Sequence, residues 1–113
     1  MVMLVTLDRA KAHLYVDGDD ADEVIEDEIE EASAAVIAYL GDGATFLDSS
    51  GEPTVVAGEP VVPYQVRAAV LQLLTALHEN RGDDGGTLSQ FQQGYLPPVV
   101  TALLYPLRDP ALA

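Results

Sequence analysis

ADEVIEDEIEEASAAVIAYL, residues 21–40, decides how the rest of the chain is read. On a wheel of 3.6 residues per turn, Ile25, Ile29, Ala32, Val36 and Leu40 fall in one stripe. Glu23, Glu26, Asp27, Glu30 and Glu31 fall on the other side. The spacing predicts a helix over about 21–40. The turn Asp17-Gly18-Asp19-Asp20 supplies its N-cap, and Gly41 fits the C′ stop position. The two ends of this helix differ. From Asp17 to Glu31, ten of fifteen positions are Asp or Glu, and none is Lys or Arg. From Ser33 to Leu40, the helix is apolar all round, with Ala34, Ile37 and Ala38 on the side that was acidic one turn earlier. A helix that is apolar on every side is normally buried. One end is therefore expected to face water and the other to be covered from several directions.

Working outward, Thr6 can cap a short first helix with Leu7, Ala10 and Leu14 on one side. Residues 42–62 form an extended Gly/Pro/Ser-bearing connection. Within it, Ala44–Leu47 and Thr54–Ala57 flank Asp48-Ser49-Ser50-Gly51-Glu52-Pro53. The two runs either pair as a short β-hairpin or form an irregular loop. Pro63 near the N1 position opens a third helix that runs to about Asn80. Its main stripe is Val62, Val66, Ala69, Val70, Leu73, Leu74 and Leu77; on the reverse side Tyr64, Ala68, Leu71 and Thr75 carry no charge, and Arg67, His78 and Glu79 are the only ionisable groups before Arg81. Two apolar faces place this helix at the centre of a fold or in a subunit interface. Arg81–Gly86 is a flexible break, and Thr87–Tyr95 is polar and weakly patterned. Pro98 to Leu104 makes a short last helix, and residues 106–113 make a tail. The expected fold is all-α. It is one domain over residues 1–113, a small bundle of three to four helices with the loop or hairpin between the second and third.

Composition narrows the function. The chain of 113 residues carries 19 acidic and 5 basic side chains, a formal net charge of −14. Such a charge favours solubility and repels nucleic acid and anionic membranes. It also opposes compaction, so a neighbouring subunit can contribute to holding the fold. Cysteine is absent, which excludes a disulfide scaffold, thiol catalysis and Cys-based zinc sites. The opening residues offer neither a signal peptide nor a membrane span, so the expected compartment is the cytoplasm of the producing cell.

Chemistry is hard to place on this chain. A calcium loop beginning at Asp17 would use Asp17, Asp19 and Glu28 at its first, third and twelfth positions. It would put Ala21 at the fifth and Asp22 where a turn needs glycine. The carboxylates lie on a solvated helix face with no sign of a pocket for acid–base work. His13 and His78 stand alone in the sequence, without metal-ligand spacing. Gly82–Gly86 lacks the lysine of a phosphate loop, and the five basic residues are scattered. The expectation is no catalysis, no cofactor and no metal. A different class remains open: a small acidic regulator that mimics DNA and occupies the nucleic-acid site of a basic protein.

Three ordered segments resemble the phage head–tail connector family. The first is Val5-Thr6-Leu7-Asp8-Arg9-Ala10-Lys11-Ala12-His13-Leu14 with Val16-Asp17 and the Asp-rich turn. The second is Val66 to Arg81, ending His78-Glu79-Asn80-Arg81. The third is Leu96-Pro97-Pro98-Val99-Val100-Thr101-Ala102-Leu103-Leu104-Tyr105-Pro106-Leu107-Arg108. Residues 42–62 depart from the family, being longer than its minimal linker. The resemblance implies an all-helical structural protein of the virion. It would form a ring of about twelve copies that docks on the portal protein, meets a tail-side connector or tail terminator, and lets DNA pass without specific binding. It implies no membrane, a place at the head–tail interface of the particle, and host cytoplasm during assembly. On this reading Glu23, Glu26, Asp27, Glu30 and Glu31 line the channel or face solvent. Ala34, Ile37, Ala38, Tyr64, Ala68, Leu71 and Thr75 are the candidate subunit interface.

Overall fold

A computed structural model describes residues 2–80, 82 and 85–108, and all statements of absence concern these described residues. Five helices make up the fold: α1 (Leu7–Leu14), α2 (Asp22–Leu40), α3 (Tyr64–Glu79), α4 (Gly86–Gln92) and α5 (Pro98–Leu104). Short 3₁₀ turns follow α2 at Gly41–Gly43 and α5 at Tyr105–Leu107. The all-α expectation holds, with one more helix than expected. No helix is long and apolar enough to cross a membrane.

The expected stripes form the core. Ile25, Ile29, Ala32, Val36 and Leu40 of α2 are fully buried against Val66, Ala69, Val70, Leu73, Leu74 and Leu77 of α3 and against Ala10, Val100 and Leu104. Each buried Leu, Ile or Val of this kind contributes about 1.5–3 kcal/mol. Leu4 and Val5 add to the core ahead of α1. There the buried Ser33 hydroxyl accepts the Leu4 N–H at 3.0 Å, so a polar group at the start of the apolar half of α2 ties down the N-terminal strap. Thr6 caps α1 by accepting the Arg9 N–H, as the sequence implied. Gly41 stops α2 at a φ of 55°.

Four details differ from the sequence reading. The α2 N-cap is Ala21, with no side-chain cap bond, rather than an aspartate. The first-turn Asp22 and Glu23 instead favour the positive end of the helix dipole, and Asp22 pairs with Lys11 at 2.8 Å. Pro63 is the N-cap of α3 rather than its first helical residue. Within 87–95, Gly86–Gln92 is helical, because Phe91 is driven into the core and Leu88 half into it. Tertiary burial, not local propensity, makes that short helix.

The fourth detail is the connection. Leu47 and Pro53 form a single antiparallel bridge, and there the expected pairing stops. Asp48 Oδ1 accepts from Ser50 N–H, Ser50 Oγ–H and Glu52 N–H, so a side chain takes the place of a second rung. The same bonds hold the Asp48 carboxyl below its ordinary range, led by the Ser50 hydroxyl. The second run pairs downstream instead: β1 (Val55–Val56) lies antiparallel to β2 (Glu59–Pro60) around Ala57-Gly58. Both turn residues have positive φ, 54° and 80°, as a two-residue hairpin turn of the primed type requires. Residues 81, 83 and 84 of the expected flexible break, and 109–113 of the tail, lie outside the described residues.

Candidate functional site

The outer surface of α2 carries both features that the sequence singled out. Glu23, Glu26 and Asp27 are exposed, while Glu30 and Glu31 are half-buried. Glu28 departs from this face. It is buried, and its Oε1 lies 2.9 Å from Nδ1 of His78 near the end of α3. The two residues are fifty apart in the chain, so nothing local announces the pair. Nor is His13 alone: its Nε2 lies 2.9 Å from the Thr75 hydroxyl. That hydroxyl donates to the Leu71 carbonyl at 3.0 Å, so His13 Nε2–H must be the donor to it. The calcium-loop positions are engaged elsewhere, Asp22 with Lys11 and Glu28 with His78. No group of three His, Cys, Asp or Glu among the described residues is placed to hold a metal ion.

Glu31 feels its neighbours. Partial burial raises its pKa above the ordinary 4.5, and the like charges of Glu28, Asp27 and Glu30 push the same way. A raised carboxylate favours the protonated form in the folded state. Its contribution to stability is therefore present below the ordinary value and lost as pH rises through the higher one. Glu31→Gln should keep that contribution at neutral pH. We expect its melting temperature in dilute solution to exceed wild type by about 2–4 °C at pH 7, the scale of one or two solvent-screened like-charge pairs. The difference should vanish near pH 3.5, where both side chains are uncharged. Thermal unfolding by circular dichroism across this range checks the sign.

Beyond Glu31 the surface of α2 turns apolar. Ala34 and Ala38 are exposed and Ile37 is half-buried, although the all-round apolar pattern predicted burial. They form a low ridge between two grooves. One groove, of about 370 Å³, runs between α2 and α4 and is lined by Glu31, Ala34, Ala35, Ala38, Leu88 and Phe91, among others. The other, of about 430 Å³, includes Val2, Ile37, Leu47 and Gly51. On α3, Tyr64 is 67% exposed, and Ala68, Leu71 and Thr75 are half-buried, with α1 covering Thr75 through His13. The seven candidate interface residues thus fall on two separate patches, each turned away from the stripe that packs α2 on α3.

The described residues thus present an acidic face and two partly exposed apolar patches on a small helical protein. Residues 4–108 match the model of the family described as Phage gp6-like head-tail connector protein, and the chain belongs to that family. Membership gives it a structural connector role at the junction of phage head and tail, in association with portal and tail. Among curated proteins and among solved structures, none matches the chain.

Proposed function

We propose that the chain is a single-domain adaptor subunit, without catalysis, that forms a ring of about twelve copies beneath the portal and continues the DNA channel towards a tail-side connector or tail terminator. The observation that carries this reading is the uncovered Ala34–Ala38 ridge between its two apolar grooves. Small residues left in water at the buried-looking end of a helix imply a cover supplied by another chain. The subunit would wait in the host cytoplasm and end in the virion. Native mass spectrometry and negative-stain microscopy of the purified protein, with and without its portal, test the proposal. Rings or portal complexes are expected, and a strictly monomeric chain that ignores portal sinks it.

In this ring Glu23, Glu26, Asp27 and Glu30 face the passing DNA or the rim, with Glu31 at the border of that face and the α2–α4 groove. A conduit that repels phosphate does not hold the genome in place. Replacing Glu23, Asp27 and Glu30 together with Gln should leave the fold intact or stabilise it by a few tenths of a kcal/mol per like-charge pair removed. Particles should assemble and release their DNA more slowly. Unchanged ejection kinetics would assign these carboxylates to solvent. The competing DNA-mimic reading has one observation in its favour, the acid of Asp17–Glu31. A mimic spreads acid over most of its surface, whereas here it is gathered at one end of α2. Capture of a nucleic-acid enzyme, released by high salt, would support the mimic.

A further inference from the structure

The described cations are nearly all committed. Arg9 pairs with Glu59 at 3.2 Å, Lys11 with Asp22 and Asp19, and the Arg108 guanidinium sits 4.8 Å over the Tyr39 ring. Arg67 is the exception. It has no ion pair or hydrogen bond among the described residues. It stands one turn after Tyr64 and one turn before Leu71, so the three side chains share one side of α3. The carboxylates show the converse. Glu31 opens the α2–α4 groove, is half-buried there, and has no cationic partner among the described residues.

We propose that the α3 side formed by Tyr64, Arg67 and Leu71 of one copy docks in the α2–α4 groove of the next, with Arg67 pairing with Glu31 across the contact. The proposal rests on the ring reading and names the contact that closes each step of the ring. The dimensions agree. Tyr64 to Leu71 and Glu31 to Ala38 each span seven residues, about 10 Å of helix. Ala34, Ala35 and Ala38 carry only methyl groups, which lets a second helix approach to the short end of the usual 8–10 Å spacing. Leu88 and Phe91 form the opposite wall, where an exposed tyrosine ring and a leucine can be covered.

Charge selects this arrangement over the symmetric one. Packing α2 against α2 would bring two acidic helices together and give Glu30 and Glu31 no cation to meet, within a chain of formal charge −14. Bringing α3 to α2 instead places the one described cation without a partner beside a carboxylate crowded by its own kind. Because the two patches differ, a joined pair keeps one free patch of each kind, and the series can continue until it closes.

The test is charge reversal in the full chain, with ring formation followed by native mass spectrometry and helix content by circular dichroism. Arg67→Glu and Glu31→Arg should each weaken assembly at least about tenfold with helix content unchanged. The variant carrying both substitutions should recover rings. Because the chain has no cysteine, a second measurement is clean: Ala34→Cys together with Ala68→Cys should give a ladder of oxidised oligomers. Single reversals that leave rings intact, a double reversal that does not restore them, or the absence of a ladder overturn this contact. So does a groove that stays open in the rings and is covered only when portal is added. Those results leave the ring itself standing, whereas a wild-type chain that never assembles removes the ring reading as well.

Discussion

Leu73→Ala should cost about 2–5 kcal/mol of folding stability and lower the melting temperature by at least about 10 °C. Leu73 is fully buried in the core cluster that joins α3 to α2 and α5. Deleting its isobutyl group removes the transfer free energy and leaves a void that helices on both sides prevent from closing. Urea unfolding followed by circular dichroism measures this directly. A loss under about 1 kcal/mol would mean that α3 is not held as described. Rings should weaken only in proportion to the fraction of unfolded chain.

Two residues earlier on the same helix, the expected outcome reverses. Leu71→Asp should abolish rings while leaving helix content and most of the stability in place. Leu71 is half-buried, on the side away from the seam. The backbone carbonyl that accepts the Thr75 hydroxyl is unchanged by the substitution. Aspartate in mid-helix costs about 0.5 kcal/mol in propensity. Placed in a contact between copies, its desolvated charge costs several times more. Intact rings from this variant would show that this side of α3 meets no neighbour.

The contrast between these leucines marks what the sequence discloses. Helical periodicity placed Leu73 inside and Leu71 outside, and it set α2, α3 and α5 to within a residue or two of their ends. It failed where the fold is decided at a distance. Gly86–Gln92 has only Leu88 and Phe91 to define a stripe, too few for a period, and packing against α2 makes it a helix. Thr54–Ala57 read as either the partner of Ala44–Leu47 or part of a loop, whereas Val55–Val56 pairs with the nearer Glu59–Pro60 across a two-residue turn. The same holds at the candidate site. The acidic face was legible because charge on one side of a wheel is a local pattern. The burial of Glu28 was not, because its cause is His78 on another helix. Nor was the exposure of Ala34 and Ala38, since an alanine-rich segment reads as buried whether its cover is its own chain or another.

The connection from Ala44 to Val62 has its own consequence. Its ladder is a single bridge at Leu47 and Pro53 and a pair of two-residue strands, with Val55 and Val56 open to water and Glu59 tethered to Arg9. Little of the core depends on what lies between those pins. Changing the length of such a span costs only tenths of a kcal/mol, since closure entropy grows with the logarithm of length. The hairpin is therefore where this scaffold can take up a change in chain length while α2 and α3 stay as they are.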